Sequence, residues 1–202
     1  MIRLTEHLPD RITVRGKGYK LKPDYRNVLL MMETMARDDL IPEAKTYQAL
    51  RHVIKRPPKD DALCAEIMAE FQKIFLPESK KGVSEKRLTS FEQDADLIRG
   101  AFRQVYGIDL FRAKLHWMEF SCLLACLPEG SRYTEIIGIR ARPMPKPTRY
   151  NAEERRALAQ AKASCAIQVS DKERERNLQA SMRRTTASLL ELAKRGEAKR
   201  GG

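Results

Sequence analysis

The chain has 202 residues, of which 42% are hydrophobic, and it carries a formal net charge of +12. This length suits one domain plus an extension, and a core of about 140 residues can bury roughly two-thirds of its unfolded surface. No apolar run approaches the roughly 20 residues that cross a bilayer, and the first residues lack the apolar block of a secretory signal. The composition therefore predicts a cytoplasmic protein without a membrane partner.

The positive charge is distributed unevenly along the chain. Residues 140–202 contain 16 Lys and Arg against 7 Asp and Glu, whereas residues 83–139 contain 7 against 8. The basic part begins with RARPMPKPTRY, whose alternate prolines favour an extended backbone. We therefore predict a helical core domain over residues 1–142, a Pro-rich linker over 143–150, and a basic helical or partly disordered extension over 151–202.

The N-terminal third predicts a β-hairpin followed by three helices. Apolar residues alternate on both sides of Gly16-Lys17-Gly18, which predicts a hairpin with its turn at these residues. Asp24 is a suitable N-cap for a first helix, and Pro42 suits the first position of a second helix that stops before Pro57. A third helix is predicted from Asp60 to Leu76.

The next stretch predicts a pair of amphipathic helices. Ser90 and Gln93 have the spacing of a capping box at the start of the fourth helix, and Gly107 is a natural left-handed terminator. Asp109 is predicted to cap the fifth helix, and a short sixth helix restarts at Ser131 or Thr134. The predicted apolar stripes are Phe91, Ala95, Ile98, Phe102 and Tyr106 in the fourth helix, and Trp117, Phe120, Leu124 and Leu127 in the fifth.

The fold class predicted from these patterns is mainly α: a compact helical domain with a short N-terminal β-hairpin, followed by a basic helical C-terminal extension. In the extension, Asn151 and then Ser170 start helical segments with few apolar residues, and such helices order on a partner. Two basic pairs, Arg183-Arg184 and Lys194-Arg195, are candidate partner-binding residues. A solvated helix face is the simpler interpretation of these pairs.

Three acidic residues at the start of the fourth helix resemble a metal or acid–base site. On an ideal helix Glu92 and Asp96 share a face, whereas Asp94 points away, so the three do not converge. Favourable charge at a helix N-terminus is the preferred explanation. Asp94 remains a candidate for a structural network in which it pairs with a basic residue or a backbone amide.

The cysteines and histidines predict no site either. His116, Cys122 and Cys126 do not have the spacing of a structural zinc motif, and no oriented third group suggests a nucleophilic cysteine. We expect reduced, buried thiols and a partly exposed histidine. The sequence thus predicts no catalytic residue, no metal and no cofactor.

Three motifs resemble those of a known family: SFEQDAD at Ser90–Asp96, YGIDL at Tyr106–Leu110 and LHWMEF at Leu115–Phe120. The family consists of small proteins encoded in the tail-gene region of long-tailed bacteriophages and prophages, labelled gene product fifteen. The resemblance covers Leu88–Arg140, reaches the N-terminal hairpin and the first helix more weakly, and brings no catalytic residue with it. The residues that form the structural motif are Phe91, Asp94, Ile98, Phe102, Tyr106, Gly107, Asp109, Trp117, Phe120 and Leu124.

The resemblance implies a function because the genes of this family have a characteristic position in phage genomes. In phage genomes such genes lie between the major tail protein and the tape measure, a position occupied elsewhere by tail assembly chaperones. It therefore implies a non-enzymatic tail assembly factor in the bacterial host cell that binds the helical tape measure or another tail protein. The alternatives are a structural tail or connector component retained in the virion and, less favoured, a nucleic-acid-binding protein that acts through its basic tail. Each is compatible with an oligomer.

Overall fold

The structure, a computed structural model, describes residues 5–76 and 88–168. Within these ranges the chain forms a hairpin and seven helices, which confirms the mainly α fold with an N-terminal hairpin. The elements are β1 (Arg11–Val14), β2 (Lys17–Lys20), α1 (Tyr25–Ala36), α2 (Pro42–Val53), α3 (Asp61–Phe75), α4 (Ala95–Tyr106), α5 (Trp117–Ala125), α6 (Arg132–Ala141) and α7 (Ala152–Ser164). None of the helices in this described part is long and apolar enough to cross a membrane.

One compact unit runs to Cys165 and includes α7. It therefore continues past the predicted linker at residues 143–150. The second unit, Ala166–Gly202, lies almost wholly outside the described residues. The predicted helix from Ser170 and both basic pairs fall in that part of the chain.

The hairpin turn lies earlier than predicted. Ile12 pairs with Tyr19 across the antiparallel ladder, and the connection consists of Arg15 and Gly16, with φ of 50° and 75°. A two-residue loop with positive φ at both positions matches the right-handed twist of the strands. Gly18 consequently belongs to β2 rather than to the turn.

The segment after the hairpin joins distant parts of the chain. The Lys22 amide donates to the Val53 carbonyl at 2.8 Å, at the end of α2. The Trp117 amide donates to the Pro23 carbonyl at 2.7 Å, at the start of α5. These bonds fix the beginning of α5 against the N-terminal half of the unit, although the residues are far apart in sequence.

The start of α4 differs from the predicted capping box. Ser90 Oγ accepts from the Gln93 amide at 3.3 Å, as the motif requires. The Ser90 amide, however, donates to the Asp94 carboxylate at 2.9 Å, and α4 begins only at Ala95. A turn at residues 91–94 precedes the helix. The side chain that accepts from the Ser90 amide is therefore that of Asp94, where the capping box predicts that of Gln93.

The predicted cap of α5 is wrong. The Asp109 carboxylate accepts from the Phe111 amide at 3.0 Å, which closes a turn well before the helix. The N-cap of α5 is His116, whose Nδ1 accepts from the Met118 amide at 3.1 Å. The chain between them first pairs with the segment after the hairpin, and this delays the start of the helix.

The core is organised around the ring of Phe120, which is 1% exposed. It stacks on Tyr25 at a centroid distance of 4.5 Å and on Phe102 at 5.2 Å. Trp117 lies 5.8 Å away, and its indole N–H donates to the Phe75 carbonyl at 2.8 Å. Helices α1, α4 and α5 therefore meet at a single aromatic side chain.

We predict that Phe120→Ala lowers the free energy of unfolding by about 3–5 kcal/mol, since it leaves a cavity among four aromatic rings. Thermal and urea unfolding followed by circular dichroism measure the change. The matched control is Phe111→Ala at an exposed phenylalanine, for which we expect a change within about 0.5–1 kcal/mol. Equal losses in the two variants would contradict the central role of Phe120.

Candidate functional site

An apolar cleft of about 310 Å³ opens where α1, α4 and the loop after α4 meet. We call it the Phe111 cleft. Its lining includes Tyr25, Leu29, Phe91, Ile98, Phe111 and Phe120. The buried rings of Tyr25 and Phe120 belong to the core, so the inner wall of this cleft is preformed by the packing of the helices. Preformed apolar concavities are the usual form of binding sites.

Phe111 is the most exposed large apolar side chain beside this cleft, at 71% of its surface. The Arg99 guanidinium lies over its ring, 4.3 Å from the centroid. Arg99 also contacts Asp96 at 3.5 Å in an exposed ion pair. An aromatic ring and a cation thus stand together at the rim, the residue types that are enriched where proteins bind each other.

The YGIDL motif builds the loop that presents Phe111. Gly107 ends α4 in the left-handed conformation, with φ of 68°. Asp109 then closes its turn onto the Phe111 amide, and Leu110 is buried while the next side chain is exposed. The Tyr25 hydroxyl donates to the Leu110 carbonyl at 2.6 Å and fixes this loop to α1. The motif residues Gly107 and Asp109 therefore position Phe111, which follows the motif.

The structure brings most of the other motif residues together in the packing of α4 on α5. Ile98, Phe102, Trp117 and Phe120 are buried. Tyr106 is partly buried, and its hydroxyl donates to the Leu123 carbonyl at 2.8 Å. The remaining members, Phe91 and Leu124, are half-buried and pack against this core.

Asp94 is separate from the cleft and pairs with a basic residue. Its side chain is 1% exposed, and both carboxylate oxygens accept from the Arg140 guanidinium, at 2.7 and 2.8 Å. This bidentate geometry is the strongest form of an ion pair between side chains. The hydrogen bond to Asp94 raises the pKa of Arg140 above its ordinary value.

Arg140 connects further parts of the chain to the same cluster. Its Nη1 donates to the Leu88 carbonyl at 2.9 Å and its Nε to the Cys165 carbonyl at 2.6 Å. Its own carbonyl accepts from Lys162 Nζ at 2.7 Å. The Asp94–Arg140 pair thus ties the start of α4 and the end of α7 to α6, and its role is structural.

The polar residues that resemble a metal site do not assemble one. Among the described residues, no group of three His, Cys, Asp or Glu side chains could hold a metal ion. His116 Nε2 lies 3.2 Å from the Pro9 carbonyl. The side chain of Asp96 is 93% exposed, whereas Asp94 is buried, so these two acids have different surroundings.

The expectation of buried thiols is wrong for most of the cysteines. Cys64 is buried, whereas Cys122 and Cys126 are exposed and Cys165 is partly exposed. All four are free. Cys126 raises the pKa of the Cys122 thiol, which disfavours the thiolate that a nucleophile requires.

Sequence patterns missed the residues at the rim of the Phe111 cleft. Phe111 and Arg99 lie outside the predicted apolar stripes of the fourth and fifth helices. An apolar residue immediately after an Asp-Leu turn was the available signal, because a turn leaves one of two successive apolar residues exposed. The predicted partner-binding residues Arg183, Arg184, Lys194 and Arg195 fall outside the described part of the chain.

The Asp94–Arg140 pair yields a stability prediction. Asp94→Asn or Arg140→Met should each cost about 3–5 kcal/mol, because either change breaks a largely buried bidentate ion pair. The double variant should lose less than the sum of the two. Urea unfolding of the four proteins measures the coupling. The control, Asp96→Asn in an exposed pair, should change stability by less than about 1 kcal/mol; additive losses at Asp94 and Arg140 would refute the pair.

Comparison with known proteins identifies the family of the chain. No curated protein and no solved structure gives a significant match to it. The model of the family described as Bacteriophage Gp15 protein matches residues 4–167. This match includes the hairpin, α1 to α3 and α7, and is thus wider than the resemblance over Leu88–Arg140. The chain therefore belongs to the Bacteriophage Gp15 protein family, which supports a role in phage structure or assembly.

Proposed function

We propose that this protein is a non-enzymatic phage tail assembly factor that binds the helical tape measure protein through the Phe111 cleft. The observation that carries the proposal is the exposed Phe111 ring at the edge of an apolar cleft. Family motifs build both parts, since YGIDL forms the loop and LHWMEF supplies Phe120 beneath it. The proposed place of action is the cytoplasm of the bacterial host.

The geometry favours a helical partner. One wall of the cleft comes from α1 and another from α4, and a groove beside helices accepts apolar side chains spaced by three or four residues on one face of a bound helix. A long helical protein offers many such faces. Binding them before assembly would keep them from associating with one another.

The charge at the rim defines the partner further. Arg99 lines the cleft and is exposed. Arg99 forms an ion pair with Asp96, whose carboxylate is solvated. An exposed pair of this kind contributes little to stability. An acidic residue next to the apolar anchors of the tape measure helix could therefore take the place of Asp96. Such charges would set the orientation of binding more than its strength.

The size of the cleft suits a transient complex. Burial of one large apolar side chain contributes about 1.5–3 kcal/mol, and a cleft of about 310 Å³ holds few of them. A modest affinity for each segment lets tail-tube subunits replace the factor during assembly.

We predict that Phe111→Ala weakens co-purification with the tape measure protein by roughly tenfold, as expected for loss of an aromatic anchor. Co-expression of both proteins, followed by affinity purification and quantification of the ratio, measures the effect. Tyr150→Ala provides the control, because Tyr150 is also an exposed aromatic but does not line the cleft. Retention of the tape measure by the Phe111 variant at the level of the control would overturn the proposed site.

Mass spectrometry of purified virions distinguishes the assembly factor from a retained structural component. We expect the protein in lysates of infected cells and expect it to be missing from mature particles. Its presence in virions at a fixed ratio to the tail proteins would favour the structural alternative.

A further inference from the structure

A second cleft, of about 460 Å³, lies between β2 and the segment that follows α2. We call it the basic cleft. Its lining includes four cationic side chains, Lys17, Lys20, Lys55 and Arg56. All four are exposed, and no ion pair joins any of them to another residue in the described ranges. The charge of this surface is therefore uncompensated within the described structure.

Nearby acidic side chains are already engaged. Glu66 forms a bidentate pair with Arg15, with contacts of 2.5 and 2.9 Å. Asp60 caps α3 by accepting from the Leu63 amide at 3.0 Å. Neither forms an ion pair with a cation of the basic cleft in the described ranges. Four cations that face one concavity without counter-charges favour an anionic ligand.

The same cleft contains the part of the β2 edge that is left open by the end of α2 and the segment after it, which pair with Lys22 and Lys20. The Leu21 amide donates to the Asp10 carbonyl at 2.8 Å, so Leu21 faces β1. Backbone groups alternate along a strand, and Lys20 and Gly18 therefore direct theirs to the other side. The Lys20 carbonyl does so, since it accepts from the Lys55 amide at 3.3 Å. Beyond that bond the edge of β2 continues along Gly18, which lines the cleft.

We propose that the basic cleft binds an extended acidic segment of another protein, which adds as a strand along the Gly18 edge of β2. Exposed strand edges accept extended peptides through backbone hydrogen bonds. Lysine and arginine side chains on both sides of the edge would pair with alternate acidic side chains of the added strand. The site is independent of the Phe111 cleft and of its proposed occupant.

Other occupants fit the charges or the lining less well. Residues 140–202 of this chain contain 16 Lys and Arg against 7 Asp and Glu, so its own C-terminal part is repelled. A second copy paired edge to edge would set lysines against lysines. Single-stranded nucleic acid needs exposed aromatic rings for stacking, whereas the only aromatic residue in this lining, Tyr19, is buried.

The direct test uses the full chain and a short fluorescent peptide of alternating glutamate and threonine, titrated by fluorescence anisotropy. Two probes of similar charge serve as comparisons: the same peptide methylated on every backbone nitrogen, and oligothymidylate. We expect the unmodified peptide to bind, and expect methylation to weaken binding by roughly tenfold because a methylated backbone cannot pair with a strand. Equal binding of the methylated peptide would overturn strand addition, and tighter binding of oligothymidylate would overturn the choice of a protein ligand.

Charge reversal locates the site. Lys20→Glu combined with Lys55→Glu should weaken the peptide by roughly tenfold or more. The control pair, Lys114→Glu with Lys146→Glu, changes the net charge equally at exposed positions outside the cleft and should leave binding nearly unchanged. Equal losses in both pairs would overturn the proposal, since they would show an effect of net charge alone. If the first pair fails to fold, as judged by circular dichroism, Lys17→Glu with Arg56→Glu makes the same test.

Discussion

The arrangement of this unit depends on the burial of Phe120 between three helices. Its ring contacts Tyr25 of α1, Phe102 of α4 and Trp117 of α5. These contacts connect α1 with α4, and Phe120 also lines the Phe111 cleft together with residues of both helices. Core and candidate site are therefore coupled: a change that loosens Phe120 also alters the wall to which a partner would bind.

The Asp94–Arg140 pair adds specificity where apolar packing is thin. Leu158 is the only buried residue of α7, which is little for a helix of 13 residues. Hydrogen bonds from Arg140 to the Cys165 carbonyl and from Lys162 to the Arg140 carbonyl supply a defined position for its C-terminal end. A buried ion pair is weak as a source of stability but strict in geometry. It explains how the compact unit extends to α7 although the connecting segment is rich in proline.

Periodicity predicted the helices well, because helical spacing and capping are local properties. Asp24, Pro42, Ser131 and Asn151 all stand at the predicted helix starts. The prediction was wrong where tertiary pairing competes with local capping, as at Asp109, whose helix was displaced to His116 by the bonds around Pro23. The turn before Phe111 is a sequence signal for its exposure, but the two clefts were not predicted, because their walls come from residues that lie far apart in the chain.

The central claim is that the tape measure protein binds at the Phe111 cleft. A photo-reactive phenylalanine analogue placed at position 111, in cells that express this chain together with its tape measure, tests it most directly. The account predicts a cross-linked product with the tape measure on irradiation, and little or none from the same analogue at Tyr150. It is contradicted if position 111 yields no such product, or if the two positions cross-link equally.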